Sequence, residues 1–92
     1  MNKMKYRLTK KIKHLPDGKC LYQIQALRDV ERRGVKKGDL GGWVESEANL
    51  SQDGDAWVSG DAMVFGDASV FGDAWVSGDA MVYGDAWVYG NA

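Results

Sequence analysis

Six aspartates stand six residues apart, at Asp55, Asp61, Asp67, Asp73, Asp79 and Asp85. Carboxylates in such a file could hold calcium, imitate a phosphate backbone before a DNA-binding groove, or form turns. Calcium takes about six to eight oxygens. One carboxylate per repeat supplies too few, and the glycine-rich nonapeptide of calcium-binding solenoids is absent, so no metal is expected. Each aspartate follows a glycine, and Gly-Asp is a turn pair because Asp bonds its own turn backbone. Like charges ~5 Å apart in water repel by only about 0.8 kcal/mol, so a fold can carry them. Turn formation is the preferred role of this acidic face, with mimicry of DNA kept as its functional alternative. Between the aspartates lie Trp57, Phe65, Phe71, Trp75, Tyr83, Trp87 and Tyr89. His14 is the single histidine and sits among lysines. No catalytic residue and no cofactor is expected from it.

The positions of these side chains follow from an internal repeat. From Asp55 the chain reads DAWVSG, DAMVFG, DASVFG, DAWVSG, DAMVYG, DAWVYG in one register. Repetition of this strength decides the architecture before local propensity does. In each hexad a small residue and a valine two later fall on one face of a short strand: Ala56 with Val58, Ala62 with Val64, Ala68 with Val70, Ala74 with Val76, Ala80 with Val82, Ala86 with Val88. These point inward and the aromatics outward. Residues eighteen apart match best, as in Trp57 and Trp75, Met63 and Met81, Phe65 and Tyr83, and Phe71 and Tyr89, with Ser69 and Trp87 the exception. Three strands per coil therefore stack like on like at the ~4.8 Å spacing of β-structure.

The expected fold is all-β, a three-sided parallel β-solenoid over residues 41–92 preceded by a basic β-hairpin cap over residues 1–40. Gly42-Trp43-Val44 and Ala48-Asn49-Leu50 carry the triplet upstream, but Ala48 to Ala56 is eight residues. Two extra residues around Gln52 to Gly54 predict a bulged corner. Eight hexads make about 2.7 coils. Met4, Tyr6 and Leu8 alternate as a strand, Leu15-Pro16-Asp17-Gly18 is a turn, and Cys20, Tyr22, Ile24 and Ala26 alternate again. End coils need such caps because their core and edges are otherwise open.

Charge divides the chain in the same place. Residues 1–44 hold all twelve Lys and Arg against four acids, whereas residues 45–92 hold nine acids and no base. The basic stretch (Lys3, Lys5, Arg7, Lys10, Lys11, Lys13, Lys19, Arg28, Arg32, Arg33, Lys36, Lys37) contains no nucleic-acid-binding module. Direct nucleic-acid binding is not expected. Ninety-two residues exclude a large enzyme, and no apolar run reaches the ~18 residues of a membrane span. One cysteine, Cys20, forms no internal disulfide, and no secretory signal follows Met1, so a cytoplasmic location is expected.

At Ala26-Leu27-Arg28-Asp29, Gly38-Asp39-Leu40-Gly41-Gly42-Trp43-Val44-Glu45, Asn49-Leu50-Ser51 and Gly54-Asp55-Ala56-Trp57-Val58 the chain resembles a family of phage, prophage and bacterial proteins. These pair a short N-terminal β-segment with hexapeptide repeats, and some are labelled acetyltransferases. The repeats are similar to those of left-handed β-helices, and the left hand is implied by that resemblance alone. Hexapeptide acyltransferases use a long β-helix, a protruding loop and a histidine near the subunit junction. This chain departs on each count, its one histidine lying outside the repeats.

Exposed apolar patches above a few hundred Å² mark partner surfaces, while stacked aromatics also stabilise a coil by about 0.5–1.5 kcal/mol per pair beyond burial. Both roles are open to the seven aromatics. The chain stops one step into a further hexad, so the layer of Ala74, Val76, Ala80, Val82, Ala86 and Val88 is expected to be open and to be covered by a second copy, end to end across a two-fold axis. Side-by-side trimers are the second arrangement. The functional expectation is a non-enzymatic, self-associating solenoid that binds another macromolecule through aromatic and acidic faces. The phage-like resemblance implies a host protein partner, as in an inhibitor of a host defence complex of the anti-CRISPR or anti-restriction kind. An acyltransferase-related protein and a purely structural assembly element are the alternatives.

Overall fold

The computed structural model describes residues 4–31, 34–52 and 54–90. Lys3, Arg32 and Arg33 of the basic stretch, and Asn91 and Ala92 of the final hexad, lie outside the described residues. Strands β1 (Tyr6–His14) and β2 (Cys20–Ala26) pair antiparallel from Tyr6 with Ala26 to His14 with Cys20, with a register shift between Leu8 and Ile12. Their turn closes with the Leu15 N–H donating to the Lys19 carbonyl at 2.8 Å, and Gly18 supplies φ 92°. Strand β3 (Leu40–Val44) pairs antiparallel with β2 and parallel with the first repeat strand it meets, so one strand joins hairpin to repeats.

Beyond β3 come six two-residue strands: β4 (Trp57–Val58), β5 (Met63–Val64), β6 (Ser69–Val70), β7 (Trp75–Val76), β8 (Met81–Val82) and β9 (Trp87–Val88). They form parallel pairs β4 with β7, β5 with β8 and β6 with β9, with Trp57 opposite Trp75, Met63 opposite Met81 and Ser69 opposite Trp87. The offset is eighteen residues in all three pairs. Upstream it is twenty, since Trp43 pairs with Met63 and Leu50 with Val70. The two extra residues thus fall between Leu50 and Trp57, where the spacing placed them.

The repeated alanines and valines build the interior. Ala56, Ala62, Ala68 and Ala74, with Val58, Val64, Val70 and Val76, are all buried. Corner glycines set how closely coils approach: Gly54 has φ 70°, and a Cβ there would lie 2.7 Å from the Gly72 carbonyl oxygen. Gly42 replaces the usual alanine because a Cβ would stand 2.5 Å from a Val58 methyl and 2.7 Å from the Ala62 carbonyl oxygen.

Two expectations, one of orientation and one of exposure, are corrected here. The triplet Ala48-Asn49-Leu50 does not point its alanine inward: residues Glu47–Asn49 form a 3-10 turn, Ala48 is exposed and Asn49 is buried. Asn49 is kept inside by four hydrogen bonds. Its Oδ1 accepts from the Glu45 and Ser46 N–H groups at 3.0 and 2.8 Å, and its Nδ2 donates to the Gly66 and Ala68 carbonyls at 3.2 and 2.8 Å. Trp57, expected on the outer surface, is 1% exposed. The Tyr6 ring meets it edge-on at 6.5 Å, because the start of β1 lies over that side of the coil.

Lys5 and Tyr6 also plug the bulged corner. The Gln52 side chain behaves as a strand mimic, its Oε1 accepting from the Lys5 and Tyr6 N–H groups while its Nε2 donates to the Tyr6 carbonyl. The fully buried Lys5 ammonium donates to the Ala56 and Gly54 carbonyls. Tyr6 donates its hydroxyl to the Glu47 and Leu50 carbonyls. Burial, and secondarily the Glu47 charge, push the Tyr6 phenol far above its ordinary value. The folded state therefore holds this proton more tightly than the unfolded chain does. That contribution to stability is complete below about pH 10 and is lost as pH rises past the point where the unfolded tyrosine ionises. Urea unfolding of Tyr6→Phe should show a shallower alkaline loss of stability than the parent between about pH 9.5 and 11.

Candidate functional site

At alternate residues the N–H groups of one coil donate to carbonyls of the next. The N–H groups of Trp57, Ser59, Asp61, Met63, Phe65, Asp67, Ser69, Phe71 and Asp73 donate to the carbonyls of Ala74, Val76, Gly78, Ala80, Val82, Gly84, Ala86, Val88 and Gly90. One coil later the corresponding N–H groups of Ser77, Met81, Tyr83, Trp87 and Tyr89 have no ladder partner among the described residues. Among the described residues, strands β8 and β9 are accordingly paired on one side only. Their core layer is uncovered to match, with Ala80 and Ala86 exposed and Val82 and Val88 partly buried.

Around this open coil stand Trp75 at 46% exposure, Met81 at 50%, Tyr83 at 60%, Trp87 at 67% and Tyr89 at 59%. The outward aromatics also stack along the coil axis. Phe65 lies parallel to Tyr83 at 5.6 Å and Phe71 parallel to Tyr89 at 5.3 Å, so both phenylalanines are half-buried. Trp87 meets Phe71 edge-on at 6.0 Å and 76°. Trp75 donates its indole N–H to the Ser59 hydroxyl at 3.0 Å.

Of the residues expected at the open end, Ala74 and Val76 are a correction: both are buried. Gly90 returns over the preceding corner, accepting from the Asp73 N–H and packing on Gly72, so the start of the last coil is covered and the layer available is Ala80, Val82, Ala86 and Val88. Trp57 likewise leaves the outward aromatic set. Of the six repeat aspartates, Asp61, Asp67, Asp79 and Asp85 are exposed, whereas Asp55 and Asp73 are half-buried. The N–H groups of Asp61 and Asp67 donate to the carbonyls just before Asp79 and Asp85, which sets these four carboxylates in two columns one coil apart.

A YdcK Beta solenoid repeat family model matches residues 74–90. The last coil is thus similar to a β-solenoid repeat, in agreement with the all-β chain and its parallel two-residue ladders. No curated protein matches the chain. The matched β-solenoid stretch contains Trp75, Met81, Tyr83, Trp87 and Tyr89, the exposed set around the open coil.

Besides Lys5, the basic stretch meets the coils through three further side chains among the described residues. Lys13 lies over the Trp43 ring at 4.8 Å, Lys19 reaches Glu45 at 4.0 Å, and Arg28 donates to the Gly54 carbonyl at 3.1 Å. His14 is exposed on the last rung of the hairpin, its Nδ1 3.5 Å from the Cys20 sulfur. Among the described residues no group of three or more His, Cys, Asp and Glu could hold a metal ion, and no helix is long and apolar enough to cross a membrane. The residues missed in the sequence are Lys5, Tyr6, Asn49 and Gln52, which seal the first coil. The one available signal was the two-residue interruption of the hexad, which contains Gln52.

Proposed function

We propose that this protein is a non-enzymatic β-solenoid that self-associates through its last coil and presents aromatic and acidic faces to another macromolecule. Three ladders with a common eighteen-residue offset support a three-sided coil of about 2.7 turns. Its left hand is taken from resemblance to hexapeptide-repeat proteins. The observation that carries self-association is the contrast between the two ends of the molecule. Buried lysine, tyrosine and asparagine side chains seal the first coil, while β8 and β9 offer edges with no partner among the described residues, beside the partly uncovered Val82 and Val88.

Unpaired flat edges invite pairing unless lysines or bulges blunt them. The free edge of β1 has both devices, with Arg7, Lys10 and Lys11 exposed and a register shift in mid-strand. The last coil has neither, since no Lys or Arg follows Lys37. A second copy meeting it across a two-fold axis would extend the ladders of β8 and β9 together, whereas a side-by-side trimer would leave those edges bare. The two-fold arrangement also brings the Asp79 and Asp85 corners of both copies together, so added salt should strengthen it by screening like charges.

Sedimentation equilibrium at micromolar concentration should report a dimer that tightens between low salt and about 0.5 M NaCl. Val82→Lys places a charge in the layer the second copy covers and should give a monomer with an unchanged circular dichroism spectrum. A wild-type monomer, or a Val82→Lys dimer of equal affinity, would remove the end-to-end arrangement.

A further inference from the structure

The chain already contains one example of a basic segment seated on an outward aromatic of its own coil. The Lys13 ammonium lies 4.8 Å from the centre of the Trp43 ring, and Lys19 pairs with Glu45, two residues on and just past the end of β3. A cation over an indole face is held by the ring quadrupole, and a nearby carboxylate adds to it. Trp87 occupies the same place in Ala86-Trp87-Val88 that Trp43 occupies in Gly42-Trp43-Val44. Among the described residues no lysine covers Trp87, which is 67% exposed. Beside it Phe71 and Tyr89 stack at 5.3 Å, and the 76° angle between Trp87 and Phe71 makes an aromatic corner. Asp85 precedes Trp87 by two residues, and Asp67 lies one coil above it; both are exposed.

We infer that the face of Phe71, Trp87 and Tyr89, with Asp67 and Asp85, receives an arginine- or lysine-bearing segment of a partner protein, its cation seated on the Trp87 ring. The inference rests on the proposed role of the aromatic and acidic faces and gives their partner its chemistry. Charge complementarity selects the occupant, because residues 45–92 carry nine acids and no base of their own. Arginine is favoured over lysine, since a planar guanidinium stacks on an indole and keeps donors free for the flanking carboxylates.

The test is titration of the full chain with octaarginine, with octaglutamate as control, followed by calorimetry and by the indole N–H resonances. Octaarginine should bind and move the Trp87 resonance, while octaglutamate should do neither. The Trp87→Leu/Tyr89→Leu double variant, which leaves net charge unchanged, should bind about three- to thirtyfold more weakly. Both side chains are mostly exposed, so the fold should survive, and circular dichroism checks this. Asp67→Asn/Asp85→Asn should weaken binding and flatten its salt dependence. Equal affinity of the aromatic double variant, or an unmoved Trp87 resonance, would overturn the inference by reducing the attraction to bulk charge. Release of monomers by octaarginine would also overturn it, assigning the face to the basic hairpin of a second copy. Sedimentation of the same samples separates the outcomes: a dimer that ignores octaarginine defeats this inference alone, and a monomer that binds it defeats only end-to-end association.

Discussion

Replacing Asn49 by leucine should cost about 3–5 kcal/mol and lower the melting temperature by more than roughly 15 °C, from net hydrogen-bond values near 1 kcal/mol each and the desolvation of groups left unpaired. The two side chains share branching and heavy-atom count, so the loss is chiefly one of polarity, with some overpacking from the larger methyl groups. In the parent, Asn49 satisfies the Glu45 and Ser46 N–H groups and the Gly66 and Ala68 carbonyls from a position 1% exposed. Leucine leaves all four without that partner beside an apolar side chain. Aspartate in its place would keep the two accepting bonds and set a carboxylate against two carbonyl oxygens. Asn49→Asp should therefore regain stability as pH falls and the carboxyl protonates, whereas Asn49→Leu should be insensitive to pH in that range. Thermal unfolding of both variants at pH 4 and pH 7 makes the comparison, and a leucine variant within 1 kcal/mol of the parent would refute the structural weight given to this residue.

Tyr6→Ala should be of similar size and carries a spectroscopic signature. A fully buried aromatic replaced by alanine costs about 3–5 kcal/mol. Tyr6 also donates to the Glu47 and Leu50 carbonyls and covers Trp57. Of the four tryptophans, Trp57 alone is fully buried, while Trp75 and Trp87 are exposed and Trp43 is half-buried. Removing the Tyr6 ring should admit water to Trp57 and shift the emission of the native protein to the red. Tyr6→Phe keeps the ring and should leave the emission in place. Red-shifted emission in Tyr6→Phe as well would mean that the hydroxyl bonds, and not the ring, hold the N-terminal segment over the coil.

Together these variants address how the molecule distinguishes its two ends. Lys5, Tyr6, Asn49 and Gln52 give polar backbone groups of the first coil and its corner a partner, by side chains that reach where no further coil exists. At the last coil the same kind of backbone group remains open, and the side chains around it are aromatic or acidic. Sealing by side chains makes one end inert. An uncovered opposite end favours a partner that brings backbone edges and apolar surface of its own, as the proposed second copy would.

The amino-acid sequence by itself determined the repeat, its eighteen-residue offset, the valine and alanine interior, the glycine corners and the place of the bulge, all of which are in the structure. These were legible because each follows from a period that recurs locally: alternation within a strand, a turn pair after it, and like residues one coil apart. The tertiary structure alone decided that Trp57 is covered, that Asn49 turns inward in place of Ala48, that Ala74 and Val76 are already enclosed, and that Lys5 is buried. Each depends on an interaction that occurs once. The partners of Lys5 and Tyr6 lie 41 to 51 residues away, in a segment where the hexad is interrupted. A periodic pattern reports on the face a residue turns to its own coil, and it carries no information about a non-repeating segment that later folds across that face.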